Sequence, residues 1–316
     1  MMRSKLGNTE LIVSKIAFGG NVLGWTIDEE TSFKMLDYLE DLGGNFIDTA
    51  DVYSTWKAGN TGGESEKIIG NWQKKRGNRD SIVIATKVGG IIDINNRGLS
   101  KQYIIKAAEA SLSRLRTDYI DLYQSHYDDA TTPIEETLEA YQQLIKEGKI
   151  RYVGASNISP QRFLLSLKVS MENNLPTYDT LQPEYNLYDR QRYETEFEQD
   201  CIKNKIGVIT YFSLASGFLT GKYRNESDLK KSERGKRVQK YLNERGHNIL
   251  KALDHIAAEL NSKPSTIAIS WLLSNPSVTT AIVSATSLTQ LQELFKATDL
   301  KLLDDHIKTL NSASSY

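Results

Sequence analysis

The chain has 316 residues, 39% of them hydrophobic and 25% charged, a composition typical of a globular protein with a sizeable buried core. Its 39 basic and 40 acidic residues nearly balance, so no overall positive field is available to bind nucleic acid or an anionic membrane. Cys201 is the only cysteine, which excludes an intramolecular disulfide, and no apolar run reaches the ~18 residues of a membrane-spanning helix. The amino terminus lacks the apolar core of a signal peptide, and we therefore expect a cytoplasmic protein.

The first predicted element is a β-hairpin over residues 3–13, where apolar positions alternate around Leu6-Gly7-Asn8-Thr9. After it, short β-rich runs alternate with longer segments of helical periodicity, a pattern that favours a parallel sheet with crossover helices. The predicted strands cover residues 15–18, 45–48, 82–86, 120–124, 152–156, 180–182, 207–211 and 280–284. Eight such strands predict a closed (β/α)8 TIM barrel, with the hairpin at the barrel floor.

Two of the intervening helices have clear start signals. Thr132-Pro133-Ile134-Glu135 predicts a capping box with proline at the first helical position, and Gly148 predicts the end of that helix. Ser159-Pro160 predicts another helix start in the same way. No repeat, low-complexity tract or flexible linker divides the chain, so we expect a single domain over residues 1–316. Residues 222–245 are densely charged and weakly periodic, and form either a solvated excursion or a lid over a cofactor.

Polar side chains end three consecutive predicted strands: Asp48 the second, Lys87 the third and His126 the fourth. In a (β/α)8 enzyme the carboxyl ends of the strands form the active-site rim, and Tyr53 follows closely after Asp48. Each residue alone is explained by a structural role, as a capping acid, a rim side chain or a satisfied polar group. Together they form a proton-transfer device, because a Lys87 cation would lower the Tyr53 pKa from ~10 while Asp48 holds the lysine. His126 would orient and polarise a substrate carbonyl.

These residues lie in ordered motifs, GGNFIDTADVY, GGESEKIIG, IATK, DLYQSH and EGKIRYVGASN, in which the chain resembles the aldo-keto reductases along nearly its whole length. The resemblance implies a nicotinamide-dependent oxidoreductase that reduces small-molecule aldehydes or ketones, with Asp48, Tyr53, Lys87 and His126 as the catalytic tetrad. The alternative is a non-catalytic or weakly catalytic nicotinamide-binding regulatory protein, similar to channel-associated members of the family. A lyase or isomerase on the same barrel would need a phosphate or metal site instead.

The resemblance also implies how the cofactor is held. The nicotinamide carboxamide would bond to Ser156, Asn157 and Gln182, and Tyr211 would stack on the ring. The stretch YFSLASGFLTGKY is similar to the family's pyrophosphate-binding segment, and its implied contacts are Ser213, Leu214, Ser216, Gly217 and Lys222. Serine replaces the more usual proline at position 213.

The sequence departs from many relatives where a lysine or arginine would hold the 2′-phosphate of NADPH. Those positions are Ser284, Thr286 and Gln290, and the missing cation forfeits a charge-assisted contact worth ~1.5 to 3 kcal/mol. Glu293 occupies the implied adenine-contacting position. NADPH remains the expected cofactor because the predicted lid carries other cations, Arg234, Lys236 and Arg237, although NADH or dual use stays open. No GxGxxG motif follows a strand, so the sequence does not favour a Rossmann site.

The substrate pocket is expected to be lined by aromatic residues that follow predicted strands, namely Trp25, Trp56 and Tyr127. Each could instead be partly buried against a neighbouring loop. The histidines do not have the spacing of a metal site, and we expect no metal. Neither the natural substrate nor an oligomeric state follows from the sequence.

Overall fold

The computed structural model describes residues 3–316. The chain opens with the antiparallel strands β1 (Arg3–Lys5) and β2 (Ile12–Ser14), in which Ser4 pairs with Val13. This confirms the predicted hairpin. Leu6, Leu11 and Val13 share one apolar cluster with residues from the barrel interior, so the hairpin closes the barrel floor as expected.

The following strands form a closed parallel barrel in which each strand pairs with the next and the last pairs with the first. The barrel strands are β3 (Ile16–Gly19), β4 (Phe46–Asp48), β5 (Val83–Val88), β6 (Ile120–Ser125), β7 (Ile150–Ser156), β8 (Thr180–Gln182), β9 (Gly207–Thr210) and β10 (Val278–Val283). Ile282 of β10 aligns with Ala17 of β3 where the barrel closes. All eight predicted strands and the (β/α)8 TIM barrel are therefore confirmed.

Helices surround the barrel. Those of the described chain are α1 (Glu29–Asp41), α2 (Glu64–Arg76), α3 (Lys101–Leu115), α4 (Ile134–Lys146), α5 (Pro160–Asn173), α6 (Gln191–Glu196), α7 (Glu198–Asn204), α8 (Gly235–Val238), α9 (Glu244–Glu259), α10 (Pro264–Ser274), α11 (Leu288–Phe295) and α12 (Asp304–Ala313). Between residues 3 and 316, none of the helices has the length and apolar character needed to cross a lipid bilayer.

The core has two layers because both faces of each barrel strand are buried. On β5, Val83 and Ala85 belong to the cluster inside the barrel, whereas Ile84 and Val88 pack against the surrounding helices. The same alternation sends Lys87 inward and Thr86 outward. The hydrophobic periodicity of the strand thus determines which polar side chain reaches the barrel mouth.

Two of the three predicted helix signals are confirmed. The Ser159 side chain accepts a hydrogen bond from the Arg162 backbone N–H at 3.3 Å, and Gly148 follows α4 with a φ of 71°. The capping box predicted at Thr132 is wrong: its hydroxyl donates instead to Asp129 Oδ2 at 2.7 Å, and Pro133 is the capping residue. The helix thus begins one residue later than the capping box requires, with Ile134 as its first residue.

The charged segment 222–245 folds into short helical turns beside the barrel mouth. They include turns at Glu226–Lys231 and Gln239–Tyr241 on either side of α8. Gly235 is required where α8 begins, because a Cβ there would overlap the Leu229 carbonyl. The segment borders the cavity described below, so it is not simply a solvated excursion.

Candidate active site

A cavity of about 2370 Å³ opens at the carboxyl ends of the barrel strands. Its lining brings together nearly all residues singled out in the sequence: Trp25, Asp48, Tyr53, Trp56, His126, Tyr127, Ser156, Asn157, Gln182, Tyr211, Ser213, Leu214, Ser216, Gly217, Lys222, Ser284, Thr286, Gln290 and Glu293. Lys87 lies completely buried directly beneath Tyr53 and Asp48, which it contacts. One site therefore contains the whole predicted constellation.

Lys87 is held by three hydrogen bonds. Its ammonium group donates to Asp48 Oδ2 at 2.7 Å, to the Thr49 carbonyl at 2.7 Å and to Tyr53 Oη at 2.9 Å. The Tyr53 hydroxyl lies 3.2 Å from the same Asp48 oxygen and donates to it. Gln182 Nε2 donates to the other oxygen, Oδ1, at 2.8 Å. All three N–H groups of the Lys87 ammonium therefore have acceptors, and one of these is the Tyr53 phenol oxygen.

The Tyr53 phenol remains protonated in the free protein. Burial raises its pKa well above the ordinary value, and the Asp48 carboxylate adds to the rise. Burial also lowers the pKa of Lys87, while Asp48 opposes that change. The pKa of Tyr53 in the free protein is therefore raised from ~10, because burial and Asp48 both act in that direction; the separate lowering by Lys87 stays a prediction. The arrangement keeps a proton on Tyr53 and places a cation beside the oxygen that would lose it.

His126 directly follows β6 and is fixed by its backbone N–H, which donates to the Val88 carbonyl at 2.8 Å. Burial, and to a smaller extent Lys87, holds its pKa well below the ordinary value, so the imidazole is neutral at neutral pH. Its buried Nδ1 has no hydrogen-bond partner among the described residues. The ring lies 5.9 Å from the Tyr53 ring and stacks on Tyr127 at 4.6 Å. A neutral imidazole here can donate to a carbonyl oxygen without adding charge.

The predicted nicotinamide contacts form a connected group across the ends of β7, β8 and β9. Tyr211 Oη donates to Asn157 Oδ1 at 2.8 Å, and Ser156 Oγ donates to the Gln182 carbonyl at 2.8 Å. Asn157 adopts a φ of 47°, a conformation that asparagine tolerates better than most residues. These bonds orient the Tyr211 ring toward the shared cavity beside Tyr53.

The segment after β9 has an unusual backbone, with left-handed φ values at Phe212, Ala215, Ser216 and Gly217. Two N–H groups are used within the segment: Ala215 donates to the Phe212 carbonyl at 2.7 Å and Gly217 to the Leu214 carbonyl at 2.8 Å, so the segment forms tight turns at the edge of the cavity. Ser213, which replaces the family's usual proline, donates to the Ile282 carbonyl of β10 at 2.8 Å. The hydroxyl therefore ties the segment to the barrel by a bond that proline lacks.

The polar residues after β10 are already bonded within the protein. Ser284 Oγ donates to the Gly19 carbonyl at 3.0 Å, and Gln290 Oε1 accepts from the Thr286 backbone N–H at 3.0 Å. Glu293 accepts from Thr266 at 2.9 Å and from Lys296 at 2.8 Å. None of the three predicted 2′-phosphate contacts brings a cation to the cavity.

A cation reaches this region from the segment 222–245 instead. Arg234 lies 5.5 Å from the Trp25 ring, and its guanidinium donates to Asn21 Oδ1 at 3.1 Å. The Asn21 amide nitrogen lies 2.7 Å from Ser284 Oγ, so Arg234 is linked to the end of β10 through one side chain. Burial and the neighbouring Arg237 lower the Arg234 pKa, and no carboxylate within the described residues offsets its charge. Sequence reasoning missed Asn21 and also Lys263, a further cation lining the cavity.

Aromatic side chains line the part of the cavity next to Tyr53. Trp25 and Trp56 meet edge to face at 5.5 Å, and Trp56 lies 6.0 Å from the Tyr53 ring. Tyr127 is 50% exposed at the opposite wall. Cys201 lies elsewhere, in α7, where burial raises the pKa of its thiol to about 12. Among residues 3–316, no group of acidic, histidine or cysteine side chains has the arrangement of a metal site.

Residues 15–315 match the Aldo/keto reductase family, and the chain belongs to this family of oxidoreductases, which act on small-molecule carbonyl compounds with nicotinamide cofactors. Similar proteins span the chain almost completely. A probable voltage-gated potassium channel subunit beta of Arabidopsis thaliana is 36% identical over 95% of this chain and 92% of its own length. The aldo-keto reductase YhdN of Bacillus subtilis is 33% identical over 99% of this chain and 93% of its own. The uncharacterized oxidoreductase YrpG of the same organism is 32% identical, covering 97% and 94%.

Proposed function

We propose that this protein reduces aldehydes or ketones to alcohols with NADPH, using Tyr53 as the proton donor. The observation that carries the proposal is the bonded unit of Asp48, Lys87 and Tyr53 beneath a cavity that His126 and Tyr211 also line. A bound nicotinamide supplies the hydride that reaches the carbonyl carbon. Tyr53 supplies the proton that reaches the carbonyl oxygen, so the reaction balances as one hydride and one proton added across C=O.

Three residues around Tyr53 assist the proton transfer: His126, Lys87 and Asp48. His126 is neutral and reaches the cavity, so it positions the carbonyl oxygen and polarises it as negative charge develops. Tyr53 donates its proton to that oxygen, and the resulting phenolate is stabilised by the Lys87 N–H already 2.9 Å away. Asp48 keeps Lys87 charged and in place. General acid catalysis of this kind is worth ~100-fold to 10,000-fold in rate.

The site fits a phosphorylated dinucleotide. The segment from Phe212 to Gly217, which contains several left-handed residues, borders the cavity together with Lys222, and a segment of this kind suits a pyrophosphate. Arg234 has a charge without a carboxylate partner and is linked to Ser284, where the family commonly supplies its 2′-phosphate cation. We therefore assign the 2′-phosphate to Arg234 together with the hydroxyls, and expect a preference for NADPH over NADH of about tenfold to a hundredfold, the value of one charge-assisted contact. A cytoplasmic location stays a prediction.

A regulatory protein that binds the cofactor without turnover is the second candidate, because one similar protein is named as a channel subunit. The complete tetrad favours the enzyme. The test is a panel of aldehydes, ketones and sugars assayed with NADPH and with NADH by absorbance of the reduced nicotinamide. Tyr53→Phe should lose turnover in the same panel. Tyr152→Phe is its matched control, since it removes a tyrosine hydroxyl at the barrel floor, where the oxygen accepts from the Glu10 N–H. Tight cofactor binding with no turnover of any carbonyl would favour the regulatory protein.

A further inference from the structure

Asp51 is a buried carboxyl group that the proposed mechanism does not use. It lies between Asp48 and Tyr53 in the chain, and its backbone N–H donates to the Lys87 carbonyl at 3.2 Å. The residue is 2% exposed. Within the described residues, neither of its carboxylate oxygens has a partner with the geometry of a hydrogen bond, and the adjacent Val52 N–H comes close enough only to lower its pKa slightly. A buried ionised carboxylate without donors is costly, so this group needs a physical explanation.

The cations near Asp51 are already paired with other acids. Glu66 of α2 accepts from Arg114 Nε of α3 at 2.7 Å and also from the Thr86 hydroxyl, and Lys87 is paired with Asp48. The titratable groups facing Asp51 from the elements around it are Glu66 of α2, Arg114 and Tyr103 of α3, Lys87 of β5, Tyr123 of β6 and Tyr141 of α4. The cluster is therefore neutral overall only when Asp51 carries its proton.

The protonation state of Asp51 follows mainly from its burial. Burial raises the pKa of Asp51 to about 8, and Glu66 adds to the rise while Arg114 and Lys87 oppose it. The group is a neutral acid at pH 7 and ionises as the solution becomes alkaline. It thus changes the charge of the cluster around Lys87 over a pH range in which His126 stays neutral.

We propose that Asp51 is a positioning residue that sets how readily Tyr53 gives up its proton: the neutral acid permits proton donation, and the carboxylate opposes it. The physical reason is electrostatic. Proton transfer leaves a phenolate whose negative charge Lys87 offsets, and an Asp51 carboxylate, whose charge acts on Lys87, weakens that offset and makes the phenolate harder to form. The inference rests on the proposed function, in which Tyr53 is the donor. It predicts that carbonyl reduction weakens above the pH at which Asp51 ionises.

The test compares kcat for carbonyl reduction at pH 7 and pH 9 in the wild-type protein and in Asp51→Asn, which keeps the side-chain shape without a titrating group. Because the acid fraction falls about tenfold per pH unit above the pKa, the wild type should lose about threefold to tenfold in kcat at pH 9. Asp51→Asn should change less than about twofold. The matched control is Asp179→Asn at the barrel floor, where burial raises the pKa of Asp179 to about 6, and its profile should follow the wild type.

The outcomes separate this inference from the proposed function. Absence of turnover in the wild type, or full activity in Tyr53→Phe, would overturn the proposed function. An active wild type with an inactive Tyr53→Phe, and the same alkaline loss in Asp51→Asn as in the wild type, would overturn only the role of Asp51. A wild-type kcat that is flat from pH 7 to 9 would also overturn it. If Asp51→Asn does not fold, infrared difference spectra of Glu184→Gln decide, because the pKa of Glu184 is also raised, to about 7: a buried protonated-carboxyl band should still disappear near pH 8, and its absence at pH 7 contradicts the proposal.

Discussion

Replacing Lys87 by methionine should destabilise the protein and abolish its reductase activity through two separable effects. Lys87 is completely buried, and its loss leaves the Asp48 carboxylate with only the Gln182 amide and the Tyr53 hydroxyl as donors. Removing one partner of a buried ion pair costs about 3–5 kcal/mol in the free energy of unfolding. At roughly 2–4 °C per kcal/mol for a large domain, Tm should fall by about 6–20 °C. Activity should fall by ~100-fold or more, because the Tyr53 phenolate loses its cation.

A double mutant separates the two effects. In Lys87→Met/Asp48→Asn no charge is left unpaired, and the introduced amide oxygen still accepts from Gln182, so most of the lost stability should return while activity stays absent. Urea unfolding measures the free energies, and nicotinamide absorbance measures the activity. A Lys87→Met protein as stable as the wild type would refute the ion-pair reasoning. Recovery of activity together with stability in the double mutant would refute the role of Lys87 in catalysis.

Three further predictions concern the cofactor site and the barrel. Arg234→Gln should weaken NADPH binding by about tenfold to a hundredfold, the loss of one charge-assisted contact, with little effect on NADH in the same fluorescence titration. Thr286→Arg should strengthen NADPH binding by a similar factor at low salt and by less at high salt; unchanged affinity at both salt concentrations contradicts a 2′-phosphate near β10. Gly70→Ala should lower the free energy of unfolding, measured in urea, by about 1–3 kcal/mol, because the added Cβ would overlap the Arg114 carbonyl. An unchanged midpoint of urea unfolding would show that α2 and α3 separate easily.

The barrel and its rim were predictable because they depend on local patterns. Each strand is a short apolar run bounded by helical periodicity, and parallel strands bring their carboxyl ends to one edge. Asp48 and His126 could therefore be placed together from their positions alone, and the motifs around them identified the family. The cavity confirms that Trp25 and Trp56 lie on the same side as Tyr53. Their role in substrate binding stays a prediction.

The remaining features depend on burial and on contacts between distant segments, which the sequence does not display. The raised pKa of Tyr53 could not be predicted because it depends on burial and on the Asp48 carboxylate in the folded site. The link from Arg234 to Asn21 joins residues far apart in the chain, with no local signal. In the sequence Asp51 is one more polar residue of a predicted loop. Only the structure shows that its carboxyl group is buried without hydrogen-bonding side chains.

In the proposed mechanism Tyr53 donates the proton and takes no part in cofactor binding. Its most direct test is a single-turnover measurement in which protein saturated with NADPH is mixed with a carbonyl substrate, for wild type and Tyr53→Phe. We expect the rate of nicotinamide oxidation to fall by ~100-fold to 10,000-fold in Tyr53→Phe, with the Kd for NADPH unchanged. A Tyr53→Phe protein that retains half of the wild-type rate would contradict it.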